Sequence, residues 1–323
     1  MNKAESIYEI NKLASEGKQF LFIIDYEMNT CMVLNPDEAF SKKILFDFNG
    51  IKNYQSCTNA NNEFKFEIYP IKYSEYLKSF DYIQTQLKTG NSYLVNLTFP
   101  TRIETDLSLN EIFHKAKAKY KLLYKDQFVF FSPEIFIKTN NGRIFTYPMK
   151  GTIDASISDA KNELLNNEKE KAEHATIVDL LRNDLSIVAN NVKVEKFRYI
   201  DKIETNNKSI LQASSVISGD LSEEYKNKPA DLIFKMLPAG SITGAPKNKT
   251  IEIINKAENY KRGFYTGIAG FFNGREIDSC VNIRYIENQD GKLIYKSGGG
   301  ITSMSNAQEE YTELINKIYV PFN

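Results

Sequence analysis

The sequence is poor in the residues behind the commonest metal and nucleophile chemistry, with two histidines, His114 and His174, and three cysteines, Cys31, Cys57 and Cys280. Two imidazoles leave a His-rich metal site or a Ser-His triad little to draw on. The cysteines are odd in number, scattered and outside any metal-ligand spacing, which fits a reduced, cytoplasmic setting. No run of about 18 apolar residues occurs, and the opening MNKAESIYEINKLASEGKQF lacks the apolar stretch of a secretory signal. Net charge is absent too, since 41 Lys+Arg balance 41 Asp+Glu. No general attraction to nucleic acid or to an anionic membrane follows from that balance. Internal repeats and low-complexity linkers are also missing.

What is present suits a soluble globular protein: 323 residues, 42% hydrophobic and 25% charged. The pattern reads as one folding unit over 1–323, with a short N-terminal part, 1–90, and its motifs in 91–323. Short β-like runs (Phe20 to Asp25, Cys31 to Leu34, Phe64 to Tyr69) open the chain. Helices are expected near Tyr76–Lys88, Leu109–Tyr120, Asp159 to about Ala189, from Pro246 through IEIINKAE, and over Ala307–Tyr319. FVFFSPEIFIKT and RIFTYPMKGT flank Asn140-Asn141-Gly142, a hairpin signal, and further turns fall at Asn273-Gly274 and Asp290-Gly291. Helices and antiparallel hairpins mix without regular βαβ alternation, so the class is α+β.

Two carboxylate pairs stand out. Glu170 and Glu173 lie three apart on one helix, Glu310 and Glu313 on another, so each pair shares a helix face. If the faces meet, four carboxylates converge and require a cation. Oxygen-only donors suit Mg²⁺, which keeps waters and takes oxygens from a substrate. Either pair alone would read as a solvated face. SGGGITSMS, from Ser297 to Ser305, offers backbone N–H groups to an anion just before the last helix, or else is a flexible turn. GSITGAPK, Gly240 to Lys247, fails as a phosphate loop because only three residues separate its glycines. Arg284 in VNIRYIE reads as a strand residue able to fork a carboxylate. Across a three-residue loop at Asn140–Gly142, Lys150 becomes a diagonal neighbour of Glu134, about 7–8 Å away. A two-residue loop puts them on opposite faces.

In this order NSYLVNLTF, FSPEIF, PMKGT, EKAEHATIVDLLRNDL, GSITGAPK, RGFYTGIAGFF, DSCVNIRYIE, SGGGIT and EEYTELINK resemble the chorismate-utilising enzyme family. The resemblance implies two packed antiparallel sheets with outer helices. It implies that Glu173 and Glu313 ligate Mg²⁺, with Glu170 and Glu310 behind bound waters, and that the ion holds the ring carboxylate of chorismate. Arg284, Tyr265 and the Gly298, Gly299 and Gly300 backbone would fix the enolpyruvyl carboxylate, with Gly151, Thr152 and Lys317 also at the site.

Lys150 separates the branches of that family. Anthranilate synthases usually carry Ala there, whereas a PIKGT-like segment marks the branch that aminates chorismate at C4 to 4-amino-4-deoxychorismate, toward para-aminobenzoate and folate. In the isochorismate and salicylate branch a water-activating lysine matches Leu94, which cannot activate water. The implied roles are Lys150 as the nucleophile at C2 and Glu134 as acid and then base, with burial and a nearby cation lowering the Lys150 pKa. Ammonia is expected from a separate glutamine amidotransferase subunit. Two departures from the family pattern are Leu211, where relatives often have His, and Leu94, where Gln is common. The competing readings are anthranilate synthase component I and, from another class, a non-catalytic scaffold or regulatory subunit.

Overall fold

In the computed structural model, which describes residues 1–55, 64–204 and 209–322, the strands assemble into two nine-stranded antiparallel sheets. The first runs β11 (Met149–Asp154), β13 (Ser209–Leu221), β10 (Arg143–Thr146), β9 (Ile135–Asn140), β16 (Ile277–Val281), β15 (Ile268–Phe272), β1 (Phe20–Ile24), β2 (Cys31–Leu34), with β12 (Ala189–Glu204) also on β13. The second runs β14 (Gly244–Ala245), β6 (Leu94–Thr105), β18 (Lys292–Ile301), β17 (Tyr285–Gln289), β8 (Phe128–Ser132), β7 (Tyr120–Tyr124), β3 (Ile44–Phe48), β4 (Ile51–Lys52), with β5 (Phe66–Tyr69) on β6. The helices are α1 (Lys3–Ser15), α2 (Pro36–Ser41), α3 (Tyr73–Lys88), α4 (Leu109–Lys115), α5 (Ala160–Asn166), α6 (Glu168–Ser186), α7 (Pro229–Met236), α8 (Lys247–Ala257) and α9 (Ala307–Asn316). The α+β expectation holds, and the short N-terminal strands are shared between the two sheets.

Side-chain alternation explains the layering. In β1 every residue is buried, because both faces are covered. Phe20, Phe22 and Ile24 pack with Ile10, Val178, Leu185 and Phe234 of α1, α6 and α7. Leu21 and Ile23 point the other way, into a core shared with Phe46, Leu122, Phe130 and Tyr285 of the second sheet. Beyond the second sheet, Val95, Leu97 and Phe99 alternate toward α3, α8 and α9, meeting Phe80, Ile253 and Leu314. Among the described residues no helix is long and apolar enough to cross a membrane.

Several local expectations give way to the sheet arrangement. FVFFSPEIFIKT is two strands, not one: β8 belongs to the second sheet and β9 to the first, with Pro133-Glu134 as the crossing. VNIRYIE is divided in the same way. Arg284 stands between β16 and β17 with φ 54°, at a crossing and not within a strand. The turn at Asn141-Gly142 is the two-residue kind, since Asn140 pairs with Arg143. The three-residue register that would make Glu134 and Lys150 diagonal neighbours is therefore absent. The ladder does not reach Lys150 in any case, because β13 lies between β10 and β11. The expected helix over Leu109–Tyr120 stops at Lys115, and Tyr120 begins β7. The long helical region breaks at Asn167, whose side chain caps α6 by accepting from Glu170 N at 3.0 Å. Ser297 to Ile301 is neither a turn nor a nest: Gly298, Gly299 and Gly300 pair with Thr98, Leu97 and Asn96 in the β6–β18 ladder.

Candidate active site

A cleft of about 3560 Å³ opens along the two crossings and β11, β18 and α9. Glu134, Lys150, Gly151, Thr152, Glu170, Glu173, Tyr265, Arg284, Gly298, Gly299, Gly300, Glu313 and Lys317 line it. Glu310 stands behind, with its carboxylate accepting from Ser305 Oγ at 2.7 Å. Of the cysteines, Cys31 and Cys280 are buried thiols, and Cys57 lies outside the described residues. The motif IETNNKSILQASS falls partly outside them as well. Its Leu211 pairs with Ile153 on β11.

Lys150 owes its place to a β-bulge. The β11–β13 register slips between Met149 and Thr152, and Gly151 adopts φ 91°, a left-handed conformation open to glycine. The bulge sends Lys150 Nζ to Glu173 Oε2 at 2.9 Å. Burial lowers the Lys150 pKa, but Glu313, Glu173 and Glu170 together outweigh it and the net shift is upward. Burial thus acts in the expected direction, and these carboxylates, the ones the expected cation would neutralise, oppose it. Lys317 holds Glu313 Oε1 at 2.6 Å and donates to the Gly298 carbonyl at 2.9 Å.

Both carboxylate pairs therefore act on the same small region. Glu310 responds to Glu313 and Glu173. A Cβ on Gly299 would stand 3.7 Å from Glu310 Oε2, Glu313 Oε1 and Lys317 Nζ alike. One on Gly151 would meet Glu170 Oε2 at 2.9 Å. Bare glycine backbone leaves room beside the acids that any side chain would fill. Among the described residues no three acidic, imidazole or thiol groups close around a single point, and lysine amines neutralise Glu173 and Glu313. In donor chemistry the set fits Mg²⁺, which binds through a few carboxylates and keeps waters and substrate oxygens for the rest.

At the other end, Glu134 accepts a hydrogen bond from Ser241 Oγ. Burial pushes its carboxyl up, against the Ser241 bond and the charges of Lys317 and Arg284. The Arg284 guanidinium lies 5.1 Å from the Tyr319 ring centroid, and its Nε is buried without a hydrogen-bond partner. A buried orphan donor on a guanidinium is the feature an anionic ligand would satisfy. Tyr265 is 3% exposed and packs tilted on Tyr285. Leu94 is apolar, buried and on the cleft wall.

Sequence reasoning missed Ser241, Tyr319 and His174. Ser241 sits in a segment whose glycines drew attention only to a phosphate loop. His174, on α6, meets the Lys150 carbonyl of β11 and Ser215 Oγ of β13, contacts between distant elements that no local side-chain pattern reveals.

Comparison with known proteins places this architecture. The chain is 49% identical over 317 residues (98% of this chain, 96% of the relative) to an "Uncharacterized PabA-like protein" of Haemophilus influenzae. It is 33% identical over 261 residues (76% and 56%) to aminodeoxychorismate synthase component 1 of Salmonella typhimurium. It is 36% identical over 195 residues (58% and 38%) to anthranilate synthase component 1 of Acetivibrio thermocellus. Among solved structures, a putative 2,3-dihydroxybenzoate-specific isochorismate synthase from Bacillus anthracis shares the fold at TM-score 0.72 and 17% identity, covering 98% of this chain and 88% of its own. The family model for chorismate binding enzymes matches residues 10–323, and the chain belongs to that family.

Proposed function

We propose that this chorismate-binding enzyme aminates chorismate at C4, giving 4-amino-4-deoxychorismate. The observation that carries the reading is Lys150, an amine on the cleft wall beside Glu173 at 2.9 Å. Leu94 adds support, since an apolar side chain on the wall offers no base for a water. Burial raises the pKa of Glu134 at the far end, the direction that suits a general acid.

Arg284 and Tyr265 orient the enolpyruvyl carboxylate, and the glycine strand lets the substrate lie close to the backbone. Glu173 and Glu313 would hold Mg²⁺, with Glu170 and Glu310 acting through waters. Bound there, Mg²⁺ would draw charge from the ring carboxylate and offset the acids that keep Lys150 protonated. Lys150 leaves its ion pair with Glu173, gives a proton to water in the open cleft and, as the neutral amine, forms a bond to C2. The ring diene shifts, and the C4–oxygen bond breaks as Glu134 gives its proton, so that water departs. Ammonia then bonds to C4, the diene shifts back, the C2–nitrogen bond breaks to release Lys150, and Glu134 takes up a proton. A separate glutamine amidotransferase subunit would supply the ammonia; Cys31 and Cys280 are buried thiols whose burial pushes their pKa up and disfavours the nucleophilic thiolate.

The test is product identity. Pure protein with chorismate, Mg²⁺ and ammonium salt should yield a non-aromatic amine that retains the enolpyruvyl group, by mass. Fluorescent anthranilate with released pyruvate would instead establish the anthranilate synthase reading. No turnover under any of these conditions would favour the scaffold.

A further inference from the structure

The proposed chemistry leaves one fully buried imidazole without a task. His174 follows Glu173 on α6 and is 0% exposed. Its Nδ1 lies 3.2 Å from the Lys150 carbonyl oxygen and its Nε2 lies 2.7 Å from Ser215 Oγ. A carbonyl oxygen can only accept, so Nδ1 carries the proton. Ser215 Oγ accepts from the Arg198 backbone N–H at 2.9 Å, which leaves its own hydrogen for Nε2. Ser215 N in turn donates to the Pro148 carbonyl at 2.9 Å. One tautomer satisfies every partner. The relay runs from Arg198 through Ser215 and His174 to the Lys150 carbonyl, and a second bond from Ser215 ties down Pro148.

These bonds straddle the irregular part of β11, where the register slips between Met149 and Thr152. A bulge leaves backbone groups outside the ladder, and something else must hold them. We infer that His174 is the positioning residue for Lys150: by clamping the Lys150 carbonyl to α6 it fixes the bulge and aims Nζ at the carboxylates. Glu173 adjoins His174 on α6, so the helix that supplies the carboxylate also sets the lysine facing it. The inference rests on the reading of Lys150 as the reacting amine.

Two substitutions separate positioning from simple core filling. His174→Asn puts an amide N–H near the place of Nδ1 and can keep the Lys150 bond, but it does not reach Ser215. His174→Gln reaches toward Ser215 and leaves the Lys150 carbonyl unheld. Each variant is assayed for thermal midpoint, kcat and KM. The rate at which limiting trinitrobenzenesulfonate labels Lys150, relative to Lys317, is measured by peptide mapping without chorismate.

His174→Gln should lose on the order of 10²-fold in kcat, the scale of a misplaced reacting group, with KM changed far less. Its Lys150 labelling should rise as the Glu173 ion pair loosens. His174→Asn should stay within a few-fold of the unmodified protein in both readouts. Ser215→Ala differs from His174→Asn in keeping an imidazole whose Nε2 has lost the partner that fixes its tautomer and orientation, so the ring can turn from the Lys150 carbonyl. Lys150 labelling should rise in the same direction, and the variant covers the case in which the position 174 variants fail to fold. Unchanged labelling in the Gln and Ala variants, or an Asn variant no better than Gln, would overturn the inference. If Lys150→Ala keeps full turnover, the reading of Lys150 as nucleophile fails, while the labelling comparison still decides whether His174 places it.

Discussion

Glu134 and Arg284 stand at two of the places where the chain passes between the sheets, and these two crossings are bonded to each other. Val281 N donates to the Glu134 carbonyl at 3.1 Å, and Phe131 N donates to the Arg284 carbonyl at 3.1 Å. The candidate acid and the candidate anion fork are thus fixed by backbone and not by mobile loops, which is how a reacting constellation is held to tight tolerance. Arg284 also holds φ 54°, an uncommon conformation for a non-glycine residue that persists where the surroundings determine it.

The raised Glu134 pKa sets a pH dependence. The acid works only when protonated, so kcat/KM should fall as pH rises through that raised value. Ser241 donates to the carboxylate and favours its ionised form. Ser241→Ala should therefore move the alkaline limb to higher pH. A limb that stays put or moves down would remove Glu134 from the role.

The same shift makes a stability statement. A carboxyl whose folded pKa is raised contributes stability that is fully present below its unfolded pKa of about 4.3 and lost as pH rises through the folded value. Glu134→Gln removes the buried charge, so its thermal midpoint should exceed that of the unmodified protein at pH 8 and match it near pH 4, while turnover is lost. A midpoint lower at both pH values would mean that the carboxylate is a structural anchor.

Beneath the site, Arg262 is buried with both ends of its fork on Glu258, one at 2.8 Å and one at 2.6 Å, and donates to the carbonyls of Ile242 and Asn96. Glu258 also accepts from Thr98 N and Oγ1. This network ties β6, the Gly240–Ile242 turn and the Tyr265 loop together. Arg262→Met leaves Glu258 charged and unpaired and should cost about 3–5 kcal/mol in denaturant unfolding. Pairing it with Glu258→Gln should recover part of that loss. A single-variant cost under about 1 kcal/mol would show that water reaches the pair.

How much of this was legible in the sequence depends on the range of the cause. The Asp290-Gly291 turn was, because its conformation is local: Gln289 pairs with Lys292, and both turn residues take positive φ. The carboxylate pairs were also visible, since helical spacing alone puts them on one face. The splitting of FVFFSPEIFIKT between two sheets was not. An uninterrupted apolar run looks the same whether it stays in one layer or changes layers at Pro133. For the same reason SGGGIT looked like a turn. Its strand state is imposed by β6, where Gly298 fits only because a Cβ would come within 2.5 Å of Thr98 Cγ2. Lys150 was identified through its family motif, but the bulge that aims it depends on β13, more than sixty residues away.

The proposed metal centre makes a direct demand. Glu313 faces Gly299 and pairs with Lys317 at 2.6 Å, so Glu313→Gln should keep the fold but remove Mg²⁺-dependent turnover and weaken Mg²⁺ binding measured by calorimetry. Full turnover in excess chelator would refute the metal assignment outright.

The sharpest prediction concerns Lys150. With chorismate and Mg²⁺ present and ammonia withheld, the first half of the reaction can proceed and the second cannot, so a substrate-derived adduct should accumulate on the protein. Intact mass should show the added mass of chorismate less water, and peptide mapping should place it in the segment containing PMKGT. Adding ammonium salt should discharge it as amino product. Lys150→Ala should abolish the adduct and lower turnover by at least ~10²–10⁴-fold, the scale for losing a positioned proton-transfer group. Lys150→Arg should not rescue, because a guanidinium stays charged and cannot add to the ring. An adduct on another residue would relocate the nucleophile. An Ala variant that aminates chorismate at the full rate would leave Lys150 as the counter-charge to Glu173 seen at 2.9 Å, and ammonia would then have to attack C4 directly.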